Sequence, residues 1–209
     1  MIALTGLRQR NPTTPRTGLV GALCLATLLL ASAGAAGRAP PPQPEEYLDE
    51  QTGATIDLVD APLVFARDRS ERAANLRDYV TLSAASVNRG GKLEYVLVAY
   101  VWSTLDPRYA PASQLADSLL LIADDRRIRL DAAGKSPSDL GIARPVHAPA
   151  GQDVKPLVFP TDLATLRFIA AARNLAVQTQ LGEDTVTYEL WDDQRRALDR
   201  YVRFMDGEQ

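Results

Sequence analysis

The apolar and polar positions of this chain are patterned most clearly between Asp78 and Thr104, which read DYVTLSAASVNRGGKLEYVLVAYVWST. Two β-prone runs, Tyr79–Val87 and Leu93–Thr104, flank Asn88-Arg89-Gly90-Gly91. Asn and Gly tolerate positive φ, so the spacing predicts a tight hairpin there. After Glu94 both faces of the second run are apolar, as an interior strand covered on both sides requires. A buried helix can carry such a run too, but its β-branched and aromatic content favours a strand. On one face Val96, Val98, Tyr100 and Trp102 line up, and we expect a second layer over them, supplied by a C-terminal helix.

The same reading places shorter strands at Ala54–Val59, Leu63–Arg67, Asp117–Ala123, Arg126–Leu130, Val154–Phe159, Leu175–Leu181 and Thr185–Trp191. Glu45–Glu50 is acidic and expected to fray. Asp68–Arg77 reads as a charged loop or one helical turn, and Asp124-Asp125 as the turn of a second hairpin. Residues 132–151 are rich in Gly, Pro and Ser; a stretch that long without structure is expected to be functional or mobile.

Two helices complete the pattern. One starts at Pro160-Thr161-Asp162, with Thr161 as cap and Asp162 complementing the dipole, and shows Leu163, Leu166, Ile169, Ala170 and Arg173 on one face. The other is capped by Asp192 and carries the stripe Gln194, Leu198, Tyr201, Val202 and Met205. The expected fold is α+β: an antiparallel, β-rich domain with a sandwich-like sheet and two C-terminal helices.

The N-terminus follows a different pattern. Arg8, Arg10 and Arg16 precede the uncharged run Gly18–Gly37, which is strongly apolar over Leu19–Leu30 and ends in Ala31-Ser32-Ala33-Gly34-Ala35-Ala36. Basic head, apolar core and small-residue end are the order of a secretory signal peptide, here residues 1–36. The alternative is an uncleaved inner-membrane anchor formed by residues 18–37. The expected location is therefore periplasmic or secreted, in a bacterial envelope. Residues 37–45, with RAPPPQP, form a Pro-rich linker, and 46–209 form one globular domain.

The chain has 209 residues, 46% hydrophobic and 23% charged, with net charge −3. Removing the three N-terminal arginines leaves 20 basic against 26 acidic residues, about −6. An acidic balance argues against a nucleic-acid binder, and confines any membrane contact to the N-terminal segment. Cys24, the only cysteine, lies in the apolar core of the signal after Leu23, so it reads as a passive residue, with lipidation the lesser alternative. The exported part then has no disulfide and no thiol chemistry.

No nucleophile elbow, Walker loop or dinucleotide fingerprint is present, so no catalytic, cofactor-binding or metal residue is assigned and no cofactor is expected. His147, the only histidine, reads as a surface loop residue. A usual zinc site would need further His or Cys. Tyr100, Trp102, Asp106, Arg108 and Tyr109 form a polar and aromatic group at the end of the long strand. They are the one candidate patch for a ligand or partner, weighed against an end-of-core cluster with Arg108 stacked on it. Arg67, Asp68, Arg69 and Glu71 make a second polar group, read as a solvated loop.

The runs EYLDEQTGATI, PLVFARDR and RDYVTLSAASVNRGGKLEYVLVAYVWST resemble those of a family of uncharacterised exported bacterial proteins with no assigned activity. The resemblance implies export and a β-rich fold, and supplies no site residues. The expected role is a non-catalytic binding or scaffolding domain of the cell envelope with an envelope protein as partner. The alternatives are a hydrolase using carboxylates alone, or an accessory subunit of an envelope complex pairing through an edge strand.

Overall fold

The central hairpin holds the fold together. The computed structural model describes residues 43–71, 74–104, 117–134, 136–150, 154–181 and 183–207. Within them the elements run β1 (Glu45–Asp49), β2 (Ala54–Leu58), β3 (Leu63–Asp68), β4 (Arg77–Arg89), β5 (Lys92–Ser103), β6 (Ser118–Ala123), β7 (Arg126–Asp131), β8 (Leu157–Thr161), α1 (Leu163–Ala171), β9 (Leu175–Leu181), β10 (Asp184–Asp192) and α2 (Arg195–Met205). Residues 1–42, which hold the expected signal peptide and most of the expected Pro-rich linker, lie outside the described residues. No helix among the described residues is long and apolar enough to cross a membrane.

β4 and β5 pair from Arg89↔Lys92 to Asp78↔Ser103. Gly90 and Gly91 turn the chain at φ 58° and 84°, the left-handed conformation that glycine adopts without strain. On its other edge β4 is shared by two strands. Its first half pairs with β3, from Asp68↔Arg77 to Leu63↔Leu82, and its second with β2, from Leu58↔Ala85 to Thr55↔Asn88.

The fold is α+β and antiparallel throughout, as the sequence predicts. Its layers come from one sheet that curls back on itself. The order is β8-β5-β4-β3-β10-β9-β6-β7, with β2 and β1 branching from the far half of β4. Ala133, just past β7, donates its backbone N–H to Val158 O of β8 at 2.8 Å, so the two ends of the path meet. The eight strands thus enclose a barrel-like interior.

That interior is the main core. Phe65, Val80, Leu82, Leu97, Ala99, Leu121, Phe159, Val177 and Tyr188 point into it from the strands. Leu166 and Ile169 of α1 and Ala197, Leu198, Tyr201 and Val202 of α2 join them. Both helices lie where β8 and β10 end and β9 begins, so they stopper that end of the barrel. Asp162, and not Thr161 as expected, caps α1 by accepting the Thr165 N–H at 2.6 Å, and Thr161 is the last residue of β8. Gln194, not Asp192, stands at the N-cap of α2, and Asp193 accepts the Arg195 N–H at 3.1 Å.

The helices do not cover the face of Val96, Val98 and Tyr100, contrary to expectation. Strand alternation puts that face outside the barrel. Ala54, Ile56, Ala85 and Val87 extend it, and Ile142, Val146 and Val158 complete the cluster. The covering layer is therefore the segment read as an unstructured loop. It makes a 3-10 turn at Ser138–Leu140, and Gly141 exits it at φ 97°. Asp49 of β1 fastens it: Oδ2 accepts the Ala143 N–H at 2.7 Å, while Oδ1 accepts the Gln51 and Thr52 N–H groups. The predicted frayed end is thus a strand with an anchoring role.

Candidate functional site

Two groups of side chains converge where β3 ends, β4 begins and β5 ends. One lies outside the barrel, the other inside.

Outside, the hairpin register sets Tyr79 opposite Trp102, and their rings stack at 4.2 Å between centroids and 15° between planes. This is within the range where aromatic pairs attract through offset faces. Next along the same face of β4, Arg77 holds its guanidinium carbon 4.3 Å from the ring centre of Trp191. A shift of register between Leu190 and Asp192 releases Trp191 from the β3–β10 ladder. Bulges re-aim side chains in this way. Trp191 is 57% exposed, a rare exposure for a large apolar side chain in this fold. The Trp102 indole Nε1 and the Thr81 hydroxyl on the same face are buried, with no hydrogen-bond partner among the described residues.

Of the predicted patch, Tyr100 is a core residue, 2% exposed. Burial raises its phenol pKa, opposed by the Val146 backbone. Trp102 is half-buried, packs against the outer cluster and carries the exposed part of the patch onto Tyr79. Asp106, Arg108 and Tyr109 lie outside the described residues. The structure stacks Tyr79 on Trp102 and sets Arg77, two residues before Tyr79 on β4, over Trp191. Tyr79 was legible: counting equally outward from the Arg89↔Lys92 pair sets it opposite Trp102. Trp191 was not, because its approach depends on the bulge.

His147 is not a surface residue. It is half-buried, and its Nδ1 lies 3.0 Å from the Ser83 hydroxyl, which is 1% exposed. A φ of 46° bends the backbone there. Burial lowers the imidazole pKa, against the opposing fields of Glu45 and Asp60.

Inside, among the described residues, the interior face carries charge only towards the end opposite the helices. Arg67 pairs in register with Asp78, and Asp78 with Ser103. The three follow Phe65, Val80 and Val101 on that face. Asp78 is 8% exposed, and its Oδ2 accepts from Arg69 Nη1 at 2.6 Å. Arg69 Nε also donates to Glu71 at 2.8 Å. Of the Arg67–Glu71 group, Asp68 and Glu71 are exposed, as expected of a solvated loop, while Arg67 and Arg69 are partly buried against the end of the barrel. The Glu71 carboxyl is held below its usual range chiefly by the Arg69 hydrogen bond. Burial raises the Tyr188 phenol pKa, with Asp78 adding to the effect and Arg67 and Arg69 opposing it. Arg67 Nη1 and Thr179 Oγ1 are buried without a hydrogen-bond partner among the described residues.

Elsewhere, paired acids have structural work. Asp124 takes the left-handed turn position at φ 51°, and its carboxylate accepts the N–H groups of Arg173 and Asn174. Among the described residues, every carboxylate with a displaced pKa has it lowered, by backbone N–H groups or arginine. Such groups are stabilised as anions, the opposite of what a general acid needs. No family model, curated protein or solved structure matches the chain.

Proposed function

We propose that this is an exported domain of the bacterial cell envelope that binds or scaffolds an envelope protein without catalysing a reaction. The partner engages the outer aromatic row of Trp191, Arg77, Tyr79 and Trp102. The observation that carries this reading is Trp191. It is a large indole held out of the ladder by a bulge, 57% exposed, with a guanidinium over its ring. Exposed Trp and Arg are the residue types that anchor protein interfaces. The stacked pair beside it is rigid and loses little conformational freedom on binding. Export rests on the basic, apolar and small-residue order of residues 1–36.

The test is capture of partners from envelope extract by the exported protein. The wild type should retain a defined protein, and Trp191→Ala with Arg77→Ala should lose it while melting as the wild type does. Equal recovery by both proteins would move the partner surface elsewhere. N-terminal sequencing of the exported product should begin near residue 37. A start at Met1 on a membrane-retained chain supports the anchor instead.

A further inference from the structure

We infer that residues 143–150 are an acid-released strap: protonation of His147 lifts them from the sheet and uncovers Tyr100 and the apolar face beside Trp102. The release rests on the geometry of the segment alone. That it enlarges the partner surface rests on the function proposed above.

The strap is lightly attached. Among the described residues, no backbone–backbone hydrogen bond ties 143–150 to a strand. Pro145 and Pro149 have no N–H to give. Val146, 2% exposed, is the one fully buried residue of the eight, and its backbone bonds to the Tyr100 phenol. The other fastenings are side chains: Asp49 on Ala143, Arg144 on Glu45, and His147 on Ser83. A segment held in this way opens at less cost than a strand in a ladder.

His147 is the fastening that mild acid changes. Ser83 beneath it is 1% exposed and stands opposite Val98, so the ring lies over the middle of the apolar face. Three elements face the imidazole with polar groups: β4 with Ser83, β1 with Glu45, and the turn between β2 and β3 with Asp60. The two carboxylates favour a charged ring, but each is engaged by an arginine, Glu45 by Arg144 and Asp60 by Arg200. Burial outweighs them, so the closed strap keeps the imidazole below its ordinary pKa of 6.5. On protonation Nδ1 becomes a donor, and the Ser83 oxygen can turn to accept from it. What then opposes closure is a charge kept from water, and lifting the strap hydrates it. Lifting also frees the backbone from φ 46°, where a residue with a side chain seldom rests. Asp49 acts in the opposite sense. The Ala143 N–H is the chief cause that holds its carboxyl below the usual range, so it stays ionised in mild acid and tethers the near end.

The uncovered surface is continuous with the aromatic row. Val98 and Tyr100, 0% and 2% exposed under the strap, precede Trp102 on the same face of β5. In acid the partner surface therefore grows from Trp102 to Tyr100.

The experiment places one thiol under the strap, Val98→Cys in a Cys24→Ser background, and follows its labelling by dithiodipyridine, a reagent that works in mild acid. Rates are divided by that of a free-thiol peptide at the same pH. Val177→Cys, in the main core, reads global opening. Should Val98→Cys not fold, Val158→Cys, its partner in register, reads the same face. At pH 5.5 Val98→Cys should label at least about tenfold faster than Val177→Cys, as a local opening requires. Its rate should rise at least about threefold from pH 7.5 to 5.5, and His147→Gln should remove the rise. The proposal is overturned by equal labelling of the two thiols, by no rise in acid, or by a rise that persists in His147→Gln. The wild type should also recover more envelope partner at pH 5.5 than at 7.5, and His147→Gln should recover equal amounts. Equal recovery by the wild type overturns the link to the partner surface and leaves the function proposed above standing.

Discussion

His147 Nδ1 sits 3.0 Å from Ser83 Oγ in the middle of the longest strand, and so pins the outer covering segment to the sheet. With the ring proton on Nε2, the serine hydroxyl donates to Nδ1. Burial lowers the imidazole pKa, so the folded state prefers the neutral ring. As pH falls through the unfolded value of about 6.5, the unfolded chain takes up a proton that the folded one resists. Stability from this site is complete above that pH and declines towards the lower folded pKa. His147 is the only histidine, so the melting point of the wild type should fall between pH 7.5 and 5.5. His147→Gln should flatten that slope, and a slope unchanged in the variant would dissociate it from His147.

The two tryptophans should behave in opposite ways. Trp102 packs against the outer cluster and stacks on Tyr79, so Trp102→Ala is expected to cost about 2–3 kcal/mol, less than a fully buried Trp. Trp191 is 57% exposed, and Trp191→Ala should change stability by less than about 0.5 kcal/mol. Denaturant melts read by far-UV dichroism compare them without relying on indole emission. Equal costs would mean that Trp102 is a surface residue after all.

Asp49 should control the covering segment. Its carboxylate accepts three backbone N–H groups, one from Ala143 across the fold, and the Ala143 bond is the main reason its pKa is lowered. Asp49→Ala should speed amide exchange at 141–147 far more than in β9 or α2. Uniform acceleration would show that the segment opens only with global unfolding.

Asp162→Ala should destabilise by about 1 kcal/mol, the usual cost of losing an N-cap. The Thr165 N–H is the chief cause of the lowered carboxyl pKa, so this contribution is present at neutral pH and fades as pH drops through the folded value. Acid titration should therefore separate it from the His147 effect, which acts at higher pH. Thr161→Ala, one residue earlier, should leave α1 capped.

The sequence exposed those parts of the fold that depend on neighbours in the chain. Alternation and the Asn88–Gly91 turn placed β4 and β5 to within two residues, and helical spacing found α1 and α2. What remained hidden depends on distant partners. Glu45–Asp49 looks too acidic for a strand until Asp49 is seen receiving the Ala143 N–H. Ile142 and Val146 look incidental among Gly, Pro and Ser until the outer face of β5 needs covering. Of the candidate site, Trp102 was legible. Arg67 was not, because an exposed charge and a buried one are written with the same letter.

The unequal sharing of β4 has a consequence for how the chain reaches this state. Its turn fixes the β4–β5 register locally, so this hairpin can form within microseconds and serve as the template for later pairings. Closure of the ring is the opposite kind of event. Ala133 meets Val158 only once β3, β10, β9, β6 and β7 are joined, and two of those pairings, β3–β10 and β6–β9, link distant parts of the sequence. Such non-local contacts slow folding. The ring-closing step should therefore set the rate.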